Sequence, residues 1–268
     1  MYADVDTQRL AHASYSVKYD HGHFDVADFE RTLDKIDLSN QIGFAYGSGF
    51  EAVPELLETV VERMPLIGNT PIVVRNLKRP RQLFMLLDIL KIPHPEVSFK
   101  PLKFDSKTSA AGWLYKQGGG SGGTHVRKAL PLPGIAPEVG HYFQREVPGV
   151  PISLLFVADS RQVQAIGFNR QWLSPTLAVP YRYGGAVSQA DLPDEIKQQL
   201  MYAAQQLTNA VGLRGLNSLD AIMNEGQIWV LELNPRLSAT FDLYQTDHCN
   251  LFELHLQPVF RRPKRGSR

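Results

Sequence analysis

The chain has 268 residues, 43% hydrophobic and 21% charged, a balance ordinary for a globular protein with one large or two modest domains and a buried core. A formal net charge of +1 leaves no global field to draw it to nucleic acid or a membrane surface, and its longest apolar run is about nine residues where a membrane span needs about 20. Residues 1–6 show no basic stretch leading into an apolar one, so no signal peptide is read, and the single Cys249 has no internal partner, which fits a reducing cytoplasm.

Residues 41–46 read as a short buried strand, turned sharply by Gly47-Ser48-Gly49. Pro54 opens a helix with Leu56, Leu57, Val60, Val61 and Met64 at helical spacing. Residues 71–74 read as an extended piece. Residues 81–91 read as a second helix, apolar at Leu83, Phe84, Leu86, Leu87 and Leu90. This succession suggests an α/β domain over residues 1–95, closed by Pro93 and Pro95. Residues 112–116 then form a short strand running into a glycine-rich stretch, 118–123. Residues 152–158 and 162–168 are strands joined by a tight Asp159-Ser160-Arg161 turn. Residues 194–211 form a helix with Ile196, Leu200, Ala203, Ala204, Leu207 and Val211 on one side. Two strands, 216–223 and 227–233, complete an α+β domain assigned to 96–258. The basic tail, 259–268, reads as a solvated terminus; nucleic-acid contact, the other reading, has the near-neutral charge against it.

The last two strands carry the chemistry. Asn224-Glu225-Gly226 suits a three-residue hairpin loop with a bulge, which pairs Met223 with Gln227 and sets Asp220 opposite Val230. Alternation then places Asp220, Ile222, Val230, Glu232 and Asn234 on one face. Leu219, Ala221, Met223, Trp229, Leu231 and Leu233 share the other, buried face. Two carboxylates and an amide oxygen on one rigid face suit Mg²⁺, which takes oxygen ligands and completes its shell with phosphate oxygens. An ordinary half-exposed hairpin with a polar outer face is the alternative.

Asp220 followed by Glu232-Leu233-Asn234-Pro235-Arg236 resembles the signature of the ATP-grasp superfamily, an aspartate and then Glu-x-Asn-Pro-Arg on the next strand. The resemblance implies that Asp220, Glu232 and Asn234 bind Mg²⁺ or Mn²⁺. It implies that Arg236 is catalytic, its fork of donors holding the transferred phosphate or an acyl phosphate. The glycine stretch alone reads as a linker or a phosphate loop, and it lacks the Gly-Lys-Ser/Thr ending of a P-loop. The family pattern of a strand-borne lysine before a mobile loop falls on Lys116, Gly119, Gly120, Ser121, Gly122 and Gly123. Residues 142–149 resemble the family's hinge, which implies adenine against Gln144, Arg145, Glu146 and Val147; Arg145 stands where an acid is frequent. Lys78 is the candidate for a further ATP-binding lysine, with Arg81 and a plain surface charge as the other readings.

The implied fold is an ATP-grasp fold of mixed α/β and α+β type with a small, truncated amino-terminal α/β domain. The implied protein is a cytoplasmic, ADP-forming carboxylate–amine ligase that phosphorylates a small carboxylate and passes the acyl group to an amine. The alternative is a nucleotide-binding sensor or scaffold without turnover, against which the intact set Asp220, Glu232, Asn234 and Arg236 argues. The 47–51 turn and the 66–69 segment resemble less-characterised family members, some associated with methanofuran or methanopterin pathways. Residues 2–7 resemble the end of that first domain's second strand, which leaves apolar surface around Phe44 and Ala45. An upstream start, a homodimer contact or a rearrangement of residues 2–5 into the sheet edge would cover it. No nucleophilic triad and no His-Glu-x-x-His pattern is present, and His125 beside the glycine loop reads as loop packing.

Overall fold

The computed structural model describes residues 13–20, 23–102, 112–129, 136–244 and 250–260, with side chains up to residue 257. The expectations placed on residues 2–7, on Cys249 and on the basic tail from Arg261 lie outside them. Among the described residues no helix is long and apolar enough to cross a membrane.

The described chain begins with a small hairpin, β1 (Tyr19–Asp20) and β2 (His23–Phe24), followed by helix α1 (Val26–Leu33). Asp25 caps that helix, its carboxylate accepting from the Asp28 N–H at 2.7 Å. The expected strand at 41–46 shortens to β3 (Phe44–Ala45), paired in parallel with β4 (Leu66–Ile67), while Ile42 stays exposed. Between them lies α2 (Glu55–Val61). Phe24, Phe29, Phe44 and Phe50 meet at tilted and edge-on angles beside Leu56, Leu57 and Val60, a small aromatic core of its own. The apolar side of Phe44 is therefore covered by Phe29 and Phe50.

Residues 71–74, expected to be extended, instead open helix α3 (Pro71–Lys78). The β-branched run Ile72-Val73-Val74 favours a strand. Pro71 at the first helical position and the spacing of Val73, Val74 and Leu77 toward buried surface override it. Helix α4 (Pro80–Ile89) follows at once. Val73, Leu77, Leu83, Phe84 and Leu87 bury themselves in the same core as the large sheet, so the packing runs across residue 95 without a break.

Two antiparallel sheets follow. The smaller comprises β5 (Val97–Ser98), β6 (Trp113–Gln117), β7 (Val126–Lys128) and β8 (His141–Arg145), in the order β5-β8-β6-β7. The larger comprises β9 (Val150–Asp159), β10 (Val163–Leu173), β11 (Tyr183–Val187), β12 (Arg214–Asn224) and β13 (Gln227–Asn234), in the order β11-β10-β9-β12-β13. Helix α5 (Asp194–Val211) buries Ile196, Leu200, Ala203, Ala204 and Leu207, as its spacing predicts, in one core with Ile152, Leu154 and Phe156 of β9. Gly212 ends it in the left-handed conformation, φ 70°. Helix α6 (Leu251–Phe260) takes the other face, where Leu251 meets Leu155, Val157 and Leu216.

His255 fastens α6 to the sheet: its Nδ1 accepts from the Leu216 N–H at 2.9 Å, and burial holds the ring down to about 4 from its ordinary 6.5. Below pH 6.5 the unfolded chain takes up a proton that the folded chain refuses. The stability this histidine contributes is thus complete above that pH and is lost as pH falls toward 4, by about 2–3 kcal/mol at pH 4.5. Urea unfolding at pH 7.5 and 4.5 should show that drop, and His255→Gln should shrink it. An unchanged difference between the two pH values in the variant would assign the acid sensitivity elsewhere.

Candidate active site

The hairpin that carries the acids differs from its expected register in two places, and the two shifts together restore the expected face at the acids. The loop has two residues, Glu225 and Gly226, both at positive φ (48° and 77°), and Asn224 pairs with Gln227. That one-residue slip puts Ala221 opposite Val230 and Ile222 opposite Trp229. A bulge at Leu231 then adds a second one-residue shift in the same sense, which restores the parity of the faces: Asp220, expected opposite Val230, lies directly opposite Glu232, and Leu219 opposite Leu233. Asp220 and Glu232 share a face as expected, and Asn234 joins them, its Nδ2 donating to Asp220 Oδ2 at 2.8 Å. Val230, expected beside the acids, is buried in the core with Leu219, Ala221 and Leu233. Trp229 and Leu231, expected on the core face, lie on the site side, Leu231 lining the cleft with Glu232. A hairpin bulge was expected near the loop; it sits instead where it re-aims the acids.

Four side chains from elsewhere converge on this face. Gln171 of β10 donates to Asp220 Oδ1 at 3.1 Å. Lys78, at the end of α3, is buried and donates to Asn234 Oδ1 at 2.7 Å, with Glu232 Oε2 at 3.5 Å. It also pairs with Glu51 at 3.0 Å, and Arg236 Nε reaches the other oxygen of Glu51 at 2.9 Å. Arg81, the competing candidate, points elsewhere, its guanidinium lying 4.4 Å from the centre of the Phe99 ring. Burial pushes the Asp220 carboxyl up to about 7, with the facing Glu232 adding to the push. Burial acts on Glu232 in the same sense, but Lys78, then His125, Lys116 and Arg236, outweigh it and hold that carboxyl low. Burial acts to lower the Lys78 ammonium, and the carboxylates of Glu232 and Glu51 outweigh it and hold it above its ordinary value.

The opposite wall is the smaller sheet. Leu114, Lys116, Tyr142 and Gln144 share its inner face, and Lys116 Nζ donates to Gln144 Oε1 at 3.0 Å over the Tyr142 ring. Burial lowers the Lys116 ammonium from its ordinary value. The glycine stretch forms the β6–β7 loop and is seated tightly. A methyl group on Gly119 would stand 3.3 Å from the Glu51 carbonyl oxygen, and one on Gly120 2.2 Å from the His125 ring. Gly123, at φ 72°, would place one 1.8 Å from the Tyr181 carbonyl oxygen. The Tyr183 N–H ties the loop down at the Gly122 carbonyl, 2.9 Å away. Ser121 spends its carbonyl on Thr124, and its hydroxyl makes no contact with the acids or lysines. In this arrangement the cleft measures about 20 Å³, room for roughly one water. His125 lies beneath Gly120 and lines the cleft beside Lys78 and Glu232; burial holds it down to about 4.

At the hinge between β8 and β9, Gln144 faces inward. Arg145 does not: its guanidinium lies outward over Trp113, 5.7 Å from the ring centre, and its N–H is spent on the Glu96 carbonyl at 2.7 Å. Glu146 gives its N–H to the Gly112 carbonyl and accepts from the Tyr181 hydroxyl at 2.7 Å. The Val147 N–H makes no backbone hydrogen bond among the described residues. Gln144 Nε2 is a buried polar atom without a hydrogen-bond partner among the described residues, on the inner face of the sheet.

This donor set fits a hard divalent cation. Among the described residues no three His, Cys, Asp or Glu side chains cluster as metal ligands, which leaves two carboxylates and one amide oxygen. That composition suits Mg²⁺ or Mn²⁺ sharing its shell with phosphate oxygens and does not suit zinc. The lysine ammonium resting among Glu51, Glu232 and Asn234 shows that the pocket holds positive charge.

Sequence reasoning missed Glu51, Gln171 and Tyr181. Glu51 sits in the glycine turn that was singled out, but an acid in a turn is ordinarily exposed. Only its distant partners Lys78 and Arg236 mark it as a site residue.

Residues 82–240, more than half of the chain, match the ATP-grasp domain family. Among solved structures, an ATP-grasp superfamily protein from Archaeoglobus fulgidus is 19% identical, with 79% of this chain and 62% of that one covered and a TM-score of 0.58. The biotin carboxylase domain of Hydrogenobacter thermophilus 2-oxoglutarate carboxylase, solved with MgADP, ADP and bicarbonate, is 13% identical (89% and 58% covered, TM-score 0.69). The biotin carboxylase of Campylobacter jejuni is likewise 13% identical (90% and 59% covered, TM-score 0.65). At these identities the likeness is one of fold, and the chain spans about three fifths of the length of each of these three.

Proposed function

The chain belongs to the ATP-grasp family and has its mixed α/β fold, and from that premise we propose that it is an ADP-forming ligase that activates a small carboxylate with Mg²⁺-ATP and joins it to an amine. The observation that carries this reading is that Asp220, Glu232, Asn234, Arg236 and Lys78 contact one another beside a cleft under the glycine loop, with Lys116 on the facing sheet. A module that only bound nucleotide would have no use for a buried arginine beyond the metal carboxylates.

ATP supplies the phosphoryl group and the cation neutralises its charge. The protein's part is positioning and electrostatics. Asp220, Glu232 and Asn234 hold the cation, and Gln171 orients Asp220. Lys116 and Gln144 form the inner edge of the nucleotide site, and the Val147 N–H is the hinge donor left for a base. The Gly119, Gly120, Ser121, Gly122 and Gly123 loop closes over the phosphates and excludes water. Arg236 presents a fixed fork to the transferred group. The finer likeness is to family members some of which are ligases associated with methanofuran or methanopterin pathways.

A thermal-shift screen of carboxylates in the presence of Mg²⁺-ATP, followed by ADP release with candidate amines, tests the reading. ADP formation that requires both a carboxylate and an amine is expected. Carboxylates and amines that bind and stabilise without any ADP release would favour the sensor reading.

A further inference from the structure

Glu51 lies in the amino-terminal segment, outside the 82–240 stretch that matches the family, yet its side chain is 1% exposed and sits inside the site. It places one oxygen 3.0 Å from Lys78 Nζ and the other 2.9 Å from Arg236 Nε. The remaining nitrogens of Arg236 reach the Leu237 carbonyl at 3.0 Å and Asn234 Oδ1 at 3.4 Å. The directed hydrogen bonds of the guanidinium are those two at its terminal nitrogens, and Glu51 sets a carboxylate charge against its Nε edge. The same segment grips the strap before Arg236: the Tyr46 hydroxyl and Asn69 Nδ2 both donate to the Pro235 carbonyl, at 3.1 and 3.0 Å. Gly119 of the loop rests against the Glu51 carbonyl.

We propose that Glu51 is a positioning residue of the phosphoryl-transfer site, orienting Arg236 and holding Lys78 beside Glu232 and Asn234 before nucleotide binds. The proposal rests on the ligase reading for its catalytic part. Its physical basis is charge balance. Lys78 and Arg236 are both buried, and without a shared carboxylate each would repel the other and swing toward solvent or toward the metal acids. Glu51 balances the charge at the Nε edge of Arg236, on the side away from the terminal nitrogens that meet Leu237 and Asn234. It also gives Lys78 an anchor apart from Glu232 and Asn234, the residues that would hold a divalent cation. The amino-terminal segment thereby supplies part of the active site.

The test is Glu51→Gln, which keeps the shape and can still accept one hydrogen bond, with Glu51→Asp as the variant that keeps the charge. Three quantities are read: the hydrogen exchange of the Arg236 Nε–H by ¹⁵N NMR, MgADP affinity by calorimetry, and kcat for ADP formation. In Glu51→Gln the Arg236 Nε–H should exchange at least about tenfold faster and kcat should fall at least about tenfold, a misaligned group being costly to transfer. MgADP affinity should hold or tighten, because the site has gained a positive charge. Glu51→Asp should recover part of both losses. Arg236 exchange and kcat within twofold of wild type in Glu51→Gln would overturn the proposal. So would a kcat loss matched by an equal loss of MgADP affinity and of folded fraction, which would mark Glu51 as structural only. Should wild type form no ADP with any acceptor, the ligase reading falls, while the NMR measurement still decides whether Glu51 orients Arg236.

Discussion

Glu232→Gln should lower Mg²⁺-dependent ADP formation by about 10³-fold or more while leaving the protein folded, the scale expected when a metal-borne charge clamp on a transferring phosphoryl group is lost. The amide matches the carboxylate in size, and Lys78 keeps two of its three partners, Glu51 at 3.0 Å and Asn234 at 2.7 Å. A third of the Glu232 side chain faces the cleft, so the change opens no cavity in the core. What disappears is the one acid of the facing pair that the lysines and Arg236 hold ionised. Asp220, opposite it, is pushed toward its neutral form by burial and by Glu232 itself. Removing Glu232 relieves that push but leaves a single carboxylate for a divalent cation. A coupled ADP assay across a magnesium titration, with circular dichroism as the control for folding, checks this. A folded variant that keeps turnover within tenfold of wild type would mean that Glu232 holds no cation.

The pairing of Asp220 with Glu232 was legible because two signals coincide there, a strand parity and a motif that names the same residues. The parity argument alone was right at the acids for the wrong reason. Neither the two-residue loop at Glu225-Gly226 nor the bulge at Leu231 leaves a distinct trace in composition, and the acids keep their expected face only because the two shifts add to two residues, one period of the strand. Trp229, Val230 and Leu231, between the two irregularities, were all assigned to the wrong face. Helix α5 was legible for the opposite reason. It is long, regular and packed along one stripe, so a local pattern and the tertiary outcome agree. Residues 71–74 were misread because three β-branched side chains outvoted a single proline. In the folded chain, burial of Val73, Val74 and Leu77 against two different cores decides the matter. Glu51 was illegible in principle: no local pattern distinguishes a solvated turn acid from one that neutralises two buried cations brought in from other elements.

Arg236→Lys should cost about 10²–10³-fold in kcat, the scale of removing one preorganised donor from a developing anion, with MgADP affinity within about threefold of wild type. The reasoning starts from what the guanidinium does in place. One terminal nitrogen donates to the Leu237 carbonyl, the other reaches Asn234 Oδ1 at 3.4 Å, and the Glu51 carboxylate stands 2.9 Å from Nε, so the guanidinium is bounded on three sides. A lysine carries the same charge as a single compact point on a flexible stem. It can reach Glu51 or the transferred group, and it cannot present two parallel donors while anchored at a third. The buried charge balance survives, since Glu51 still has Lys78 at 3.0 Å, so the fold should hold and the loss should be one of alignment. MgADP lacks the group that Arg236 is aimed at. Its affinity depends on Lys116, Gln144, the glycine loop and the metal acids, which the substitution leaves in place. Steady-state kinetics with varied ATP and calorimetric binding of MgADP separate the two quantities. A parallel fall in affinity and kcat would make Arg236 a nucleotide-binding residue, and an unchanged kcat would remove it from the transfer step.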